Sequence, residues 1–334
     1  LTFWGMAISM LYFGLNEAAV RLPSALAGIA AMAMTGYLGR RLYSPATGLL
    51  AAVILGTALL FTGAMRLALL DSTLVCTVLL SMVGLEWFLC EGRRPGLNLF
   101  YLGCGLGVLA KGPLGLVLPI MALAGFILLR RAWSIIPRMK PLRGLVIICV
   151  VVGAWALPAF ASTDGAYFLE LVWVRTIEPI FSPLQGHGGG NILEYLALLP
   201  AYIPVILVGV FPWSFFLPAA VWKVARQSRH EDRAALLTGW AGVQLIAFSL
   251  VSTKLPHYML PLFPALAIMT GHYLSTALET RRLPGTFTSR RTRWALTGAS
   301  LITGAVLVAL PAILAFRSGG LYFLPTAAAL VITA

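Results

Sequence analysis

The sequence predicts an all-α, polytopic membrane protein that forms one transmembrane domain over residues 1–334. Of these residues, 60% are hydrophobic and 10% are charged, whereas about a quarter of the residues in an ordinary soluble domain are charged. The mean hydropathy is +0.91, and the apolar residues form successive runs long enough to cross a bilayer as helices. These observations exclude a water-soluble globular domain.

Apolar runs separated by charged residues, proline or glycine predict the helices in chain order. Segment 1–14 has about a dozen apolar residues, fewer than the roughly 20 needed to cross a bilayer, and is predicted to be an interfacial helix. Pro113 follows Lys111 and Gly112, which predicts a turn between two short spans. The predicted spans are 22–38, 47–65, 73–90, 97–110, 114–129, 144–161, 198–221, 234–251, 258–275, 294–315 and one from 321.

The basic residues assign the two sides of the membrane. If Arg40 and Arg41 are cytoplasmic, alternation of the spans leaves six of the 24 Lys and Arg residues outside, as the positive-inside rule requires. This asymmetry explains the net charge of +13 without a nucleic-acid partner. Joining 97–129 into one span would scatter the basic residues over both sides. The six outer residues are Arg21, Arg66, Lys111, Arg175, Lys254 and Arg317.

The outer face also carries the one long loop of the chain, 162–197. Long loops between spans are usually functional or disordered, and Tyr167, Phe168, Trp173 and Phe181 in this loop predict a packed structure. The four cysteines lie inside apolar runs without CxxC spacing, so they are predicted to be core residues rather than disulfides. We therefore expect a structured outer loop and an active site at the outer membrane surface.

Two joints on the outer face carry single charged residues at helix ends. In "MRLALLDSTL", Asp71 lies where one span ends and the next begins, so it is a helix N-cap, a catalytic carboxylate, or both. In "VLAKGPLGLVLP", Lys111 precedes Gly-Pro. It is either a lysine that extends from a helix end toward water, or a cation for a phosphate that approaches the backbone at Gly112.

A third joint, "STKLPHYMLP", places Lys254, His257 and Tyr258 between two apolar runs. Charged residues at membrane depth are costly and often mark a functional site. Lys111, Arg175 and Lys254 could together receive an anionic head group, and Tyr258 could add a hydroxyl donor.

Two further motifs carry weaker signals. His187 lies in the glycine-rich "GHGGGN" and is either a plain loop residue or a metal ligand, since no HxH or HExxH spacing supports a self-contained metal site. Pro212 and Trp213 in "FPWSFFLPA" are predicted to pack, with lipid contact as a secondary role.

Seven motifs in order resemble the bacterial polyprenyl-phosphate-dependent glycosyltransferases of the GT-C class. The most similar type is the aminoarabinose transferase that modifies lipid A, and the protein O-mannosyltransferases are more distant. The resemblance covers about residues 1–275. The motifs are "LNEAAVRLPSALAG", "GRRLYSPATGLLAA", "RLALLDSTL", "VLAKGPLGLVLP", "GHGG", "PWSFFLPA" and "STKLPHYMLPLFPALA".

This resemblance implies a GT-C-type transmembrane helix bundle in the inner membrane, with its active site at the periplasmic face. A sugar carried on a polyprenyl phosphate would pass to a lipid A-like glycolipid, a glycan or a protein. By motif, Asp71 corresponds to the family's acidic residue, and Lys111, Arg175 and Tyr258 correspond to residues that hold the donor phosphate. His187 matches a position implicated in divalent-metal binding. A metal ion is thus the one cofactor implied, and no organic cofactor is expected.

One departure from the family and one rival function remain. The family's first outer loop carries an acidic motif that should lie upstream of Leu1, so we expect this piece of the chain to be inactive by itself. A transporter or lipid flippase would also place charges in the membrane. Such proteins often have inverted repeats and charges near mid-span, whereas the candidate residues here cluster at the outer ends of spans.

Overall fold

The computed structural model describes residues 1–163, 198–251 and 254–280, and the regular secondary structure in these ranges is helical throughout. The predicted all-α fold is confirmed. The α-helices are α1 (Thr2–Phe13), α2 (Glu17–Leu42), α3 (Pro45–Thr57), α4 (Leu59–Met65), α5 (Leu70–Leu89), α6 (Pro95–Lys111), α7 (Leu114–Arg130), α8 (Ile135–Arg138), α9 (Pro141–Thr163), α10 (Tyr202–Gly209), α11 (Leu217–Gln227), α12 (Asp232–Leu250) and α13 (Phe263–Thr280).

The helix ends follow from local sequence signals. The side chain of Asn16 accepts a hydrogen bond from the Ala19 amide and caps α2, since Asn is among the best N-cap residues. Ser44 caps α3 in the same way. Arg40 and Arg41 lie in the last turn of α2, where positive charge is favourable to the helix dipole. These signals end α2 and start α3 within a few residues.

Among the described residues, four helices, α2, α5, α9 and α12, are long and apolar enough to cross a membrane, and the bent pair α3–α4 is either a broken fifth span or a re-entrant loop. The chain is a multi-pass membrane protein. The helix expected at 1–14 is present as α1, whose outward side exposes Phe3, Leu11 and Tyr12; its interfacial location stays a prediction. The two short helices expected at 97–110 and 114–129 are confirmed as α6 and α7.

Small residues allow α5, α6 and α7 to pack closely. A Cβ atom on Gly84 would lie 2.4 Å from the backbone nitrogen of Phe100, and one on Gly115 would lie 1.9 Å from the carbonyl carbon of Gly107. Because lipid tails are as apolar as the side chains, such close packing rather than the hydrophobic effect holds helix pairs together in membranes. These three helices form the framework on which the candidate site is built.

Two predicted spans are wrong in detail. The run 47–65 is broken at Ala58, where α3 and α4 meet at a bend of 67°. The run 198–221 is not one continuous helix. It contains a 3₁₀ helix at Leu199–Ala201, then α10, a cis Phe211–Pro212 bond, a second 3₁₀ helix at Trp213–Phe215 and finally α11. Every residue from 47 to 60 except glycine and threonine is apolar, so composition alone gave no sign of the bend.

The "FPWS" segment and the α3–α4 bend stabilise each other. The Leu59 amide donates to the carbonyl of Phe211 at 3.2 Å, and the indole of Trp213 donates to the hydroxyl of Thr57 at 2.8 Å. These bonds satisfy backbone and side-chain groups beside the bend. The packing role predicted for Trp213 is confirmed.

Arg41, Arg93 and Arg130 lie at or just beyond the C-terminal ends of α2, α5 and α7. We call this the arginine-rich end of the bundle. Arg41 and Arg93 both pair with Glu91, the latter at 3.0 Å. Arg130 Nε lies 2.7 Å from a carboxylate oxygen of Asp232 at the start of α12. The four cysteines are free, as predicted.

Candidate functional site

The candidate site centres on an ion pair between Asp71 and Lys111. Lys111 Nζ donates to Asp71 Oδ1 at 2.6 Å. Asp71 is 4% exposed, so its charge is almost fully removed from water and requires a partner. The N-cap of α5 is Leu69, without a side-chain cap bond. The predicted N-cap role of Asp71 is therefore wrong, and its carboxylate is directed to a neighbouring helix end instead.

The α6–α7 turn explains how Lys111 reaches this carboxylate. Lys111 is the last residue of α6, and Gly112 follows with φ = 66°, a conformation that favours glycine. The chain then reverses through Pro113 into α7. The side chain of Lys111 is 18% exposed. It points inward to its acidic partner, so the alternative of a lysine extended toward water is wrong.

Residues of the 3₁₀ helix Pro256–Leu262 complete the group on its other side. His257 Nε2 lies 3.9 Å from Asp71 Oδ2. The Tyr258 ring centroid lies 5.2 Å from Lys111 Nζ and 5.0 Å from the His257 ring. We call Asp71, Lys111, His257 and Tyr258 the Asp71 cluster. Three joints that are far apart in the chain thus meet at one point.

Electrostatics set the charge of the imidazole in this cluster. Burial lowers the pKa of His257, the negative charge of Asp71 raises it, and the positive charge of Lys111 lowers it, with a net downward direction. An ordinary histidine titrates near pH 6.5. The His257 ring is therefore neutral at pH 7 and able to accept a proton.

Comparisons with known proteins find similar membrane glycosyltransferases. A sequence profile described as dolichyl-phosphate-mannose-protein mannosyltransferase matches residues 1–157. The curated undecaprenyl phosphate-alpha-4-amino-4-deoxy-L-arabinose arabinosyl transferase of Pseudomonas paraeruginosa is 31% identical over 282 residues, which are 83% of this chain and 49% of the relative. The crystal structure of ArnT from Cupriavidus metallidurans bound to undecaprenyl phosphate has a TM-score of 0.73, at 20% identity over 99% of this chain and 64% of that chain. These matches support membership of the GT-C glycosyltransferases.

The similarity of this GT-C chain to its relatives is partial in length. The enzyme of the same description from an Enterobacter species is 27% identical over 285 residues, or 84% of this chain and 50% of the relative. The chain therefore spans about half the length of the curated relatives that it matches. The GT-C fold inferred from the motif order is confirmed, including its multi-pass helical bundle.

Lys254 occupies a separate position in the GT-C bundle. Its ammonium donates to the backbone carbonyls of Phe248, Ser249 and Val251 at the end of α12. It also lies 5.6 Å from the centre of the Tyr202 ring. Burial lowers the pKa of Lys254. The structure thus gives this lysine a helix-capping position, and its phosphate-binding role stays a prediction.

Helix α1 borders the Asp71 cluster. The hydroxyl of Thr2 donates to the hydroxyl of Thr73 at 2.9 Å, two residues after Asp71 on α5. Thr2 is 2% exposed although much of α1 is open to the surroundings. The predicted interfacial helix is therefore anchored at its start beside the site.

Two predicted site residues, Arg175 and His187, lie outside the described residues. Within 1–163, 198–251 and 254–280, no group of three His, Cys, Asp or Glu side chains could hold a metal ion. Asp71 and His257 would supply two ligands, but the Lys111 ammonium already occupies Oδ1 of the carboxylate. The described part of the cluster does not fit a divalent cation, and the metal role of His187 stays a prediction.

Sequence reasoning identified Asp71, Lys111 and Tyr258 but assigned no role to His257. Its position beside Tyr258 in "KLPHY" was the available signal. Only the fold brings that joint to the start of α5.

Proposed function

We propose that this chain forms the membrane-embedded part of a glycosyltransferase that moves a sugar from a polyprenyl-phosphate donor to an acceptor. The observation that carries the proposal is the Asp71–Lys111 pair, a buried carboxylate and ammonium 2.6 Å apart at the ends of α5 and α6. Relatives described as undecaprenyl-phosphate aminoarabinose transferases and ArnT bound to undecaprenyl phosphate support the donor class.

Lys111 would stabilise the leaving group. As the bond between sugar and phosphate breaks, negative charge develops on the phosphate oxygens and must be neutralised in a water-poor site. An ammonium has three N–H donors, so Lys111 can bind the phosphate while keeping its bond to Asp71. Tyr258 would add a hydroxyl donor, and Arg175 and Lys254 further positive charge.

Asp71 would orient the acceptor and take its proton. Its Oδ1 is bound by Lys111, while Oδ2 is turned toward His257, so Oδ2 is the oxygen available to an acceptor hydroxyl. A positioned general base contributes about 10²- to 10⁴-fold in rate. The acceptor class is a lipid A-like glycolipid, a glycan or a protein.

The proposed orientation places the Asp71 cluster at the periplasmic face of the inner membrane. The charge asymmetry supports it, because the arginine-rich end lies at the other end of α5. A labelling reagent that cannot cross membranes should modify a cysteine introduced at exposed Leu67, beside the cluster, in intact spheroplasts. Modification only after the membrane is opened would reverse the orientation.

The test is turnover of labelled polyprenyl-phosphate sugars by the full-length protein in vesicles, compared with Asp71→Asn and Asp232→Asn. Asp232 also pairs with a basic residue, Arg130, but at the other end of the bundle, so it is a matched control. We expect Asp71→Asn to lose at least 100-fold in turnover and Asp232→Asn to keep it. Full activity of a folded Asp71→Asn protein contradicts the assignment, and movement of donor lipid between leaflets without sugar transfer favours a flippase.

A further inference from the structure

The two oxygens of the Asp71 carboxylate have different neighbours. Oδ1 accepts a hydrogen bond from Lys111, whereas Oδ2 faces the imidazole of His257 at 3.9 Å. The side chain of Asp71 is 5% exposed and that of His257 is 31% exposed. A proton received by Oδ2 therefore has a basic nitrogen beside it, and that nitrogen belongs to a ring that reaches the surface.

We propose that His257 accepts the proton that Asp71 takes from the acceptor and releases it to the surrounding water, a role that rests on the proposed function. The acceptor O–H bond breaks as its oxygen forms the new bond to the sugar, and the proton goes to Asp71 Oδ2. The donor phosphate leaves with the electron pair of the broken bond. The proton then passes from Oδ2 to His257 Nε2 and on to water, which restores the carboxylate for the next cycle.

Asp71 Oδ2 and His257 Nε2 are 3.9 Å apart, which is longer than a direct hydrogen bond. Proton transfer needs heavy atoms about 2.6–3.2 Å apart, or one bridging water, and such bonds are often longer before substrate binds. Among the described residues, the charged and titratable groups facing His257 are Asp71 on α5, Lys111 at the end of α6 and the neighbouring Tyr258. The charge of Asp71 favours protonation of the ring, whereas that of Lys111 disfavours it and so promotes release of the proton to water.

The proton pathway also indicates the chemical class of the acceptor. A phosphate group at neutral pH already carries an anionic oxygen and can attack the sugar without losing a proton, whereas a hydroxyl must be deprotonated. A proton pathway through Asp71 and His257 is useful only for a hydroxyl acceptor. We therefore expect transfer to a sugar or side-chain hydroxyl rather than to a phosphate.

The first experiment needs no substrate. ¹⁵N-histidine NMR of the full-length protein in nanodiscs can follow His257, whose signal is assigned by its loss in His257→Gln. The signal should titrate at lower pH in Asp71→Asn than in the parent protein, because the carboxylate that favours the imidazolium is gone. An unchanged titration means that the two groups do not interact and overturns the proposal.

The second experiment measures transfer from undecaprenyl-phosphate aminoarabinose to lipid A, before and after enzymatic removal of its phosphates. His257→Gln should lower kcat about tenfold or more for the hydroxyl acceptor, with the KM for the donor unchanged, and should flatten the fall in rate at acidic pH. Added imidazole should restore turnover to His257→Ala. A purely structural histidine would show no such rescue.

The outcomes separate the two proposals. If Asp71→Asn abolishes transfer while His257→Gln keeps it, the proton pathway is wrong and the proposed function stands. If neither substitution affects a working enzyme, the site itself is misplaced. Transfer to phosphate alone, equally fast in His257→Gln, overturns both the pathway and the hydroxyl acceptor.

Discussion

The two ends of the bundle use charge in opposite ways. At the arginine-rich end, Arg41, Arg93 and Arg130 pair with Glu91 and Asp232, and several of these side chains remain partly exposed. In the Asp71 cluster, one carboxylate that is 5% exposed is approached by a lysine and a histidine. Pairing at the first end neutralises charges that also define the topology, whereas the cluster concentrates charge where water is scarce.

This difference predicts which end carries chemistry. Partly exposed ion pairs contribute little to stability because water and salt weaken them. A buried pair costs much more to desolvate, and breaking it leaves an uncompensated charge. A costly arrangement that adds little to folding is typical of a functional site, so substitutions should affect activity at the Asp71 cluster and, at most, stability at the other end.

The largest contrast is expected between Lys111→Gln and Arg130→Gln. Lys111→Gln removes the cation from the leaving phosphate and should lower donor turnover about 10²- to 10³-fold. It also leaves Asp71 buried without its cation, at a cost of about 3–5 kcal/mol in the free energy of unfolding. Arg130→Gln should keep turnover within about twofold, since its partner is a partly exposed carboxylate. Turnover and thermal unfolding of both variants check this.

A double variant separates the two effects of Lys111. In Lys111→Gln with Asp71→Asn, the buried pair becomes two neutral amides, so the stability should return toward that of the parent protein while turnover stays lost. If turnover returns as well, the lysine acts only through folding and the leaving-group role is wrong.

The next contrast is in packing and compares Gly115→Ala with Gly242→Ala. A Cβ at Gly115 would lie 1.9 Å from the carbonyl carbon of Gly107, whereas one at Gly242 would meet nothing within 4 Å. Gly115→Ala should destabilise the protein by about 1–3 kcal/mol and displace the α6–α7 turn that holds Lys111. Gly242→Ala should be neutral or stabilising by up to about 1 kcal/mol.

Unfolding in mixed micelles measures the stability of both glycine variants, and undecaprenyl-phosphate binding reports on Lys111. Equal stability of the two would show that α6 and α7 separate without cost. Normal lipid binding in a destabilised Gly115→Ala protein would show that the turn does not position the lysine.

The sequence predicted the helical class and the outer joints, because long apolar runs and single charges at their ends are local signals. It did not predict the break at Ala58, where the Leu59 amide bonds to the carbonyl of Phe211, far along the chain. Nor did it predict that 198–221 is broken, although Pro212 inside that run was a signal against a continuous helix.

The candidate site was predicted as separate residues rather than as a group. Asp71, Lys111 and Tyr258 stood out because each interrupts apolar sequence at a joint. That Lys111 binds Asp71 while Lys254 caps α12 depends on which helix ends meet, and two similar lysine joints cannot be distinguished by local sequence. The same reason explains why His257 was missed as a neighbour of Asp71.

A smaller contrast compares two tyrosines. Tyr258→Phe keeps the ring beside Lys111 but removes the hydroxyl proposed to bind the donor phosphate, so undecaprenyl-phosphate affinity should fall about tenfold. At the arginine-rich end, the buried hydroxyl of Tyr43 has no hydrogen-bond partner among the described residues. Tyr43→Phe should therefore leave both binding and stability unchanged. Equal affinities of the two variants would remove Tyr258 from the phosphate site.

The smallest effect is expected for the ion pair between Arg130 and Asp232. The two side chains are 26% and 45% exposed, and Arg130 also donates to the carbonyl of Arg229, so part of its bonding survives loss of the carboxylate. A double-mutant cycle with Arg130→Gln and Asp232→Asn should give a coupling energy of about 1 kcal/mol or less. The corresponding cycle for Lys111 and Asp71 should give a coupling energy several times larger, because water has little access to either buried partner and cannot take the place of the lost one. Similar coupling energies in the two cycles would mean that burial does not distinguish the ends, and would contradict the assignment of the chemistry to Asp71.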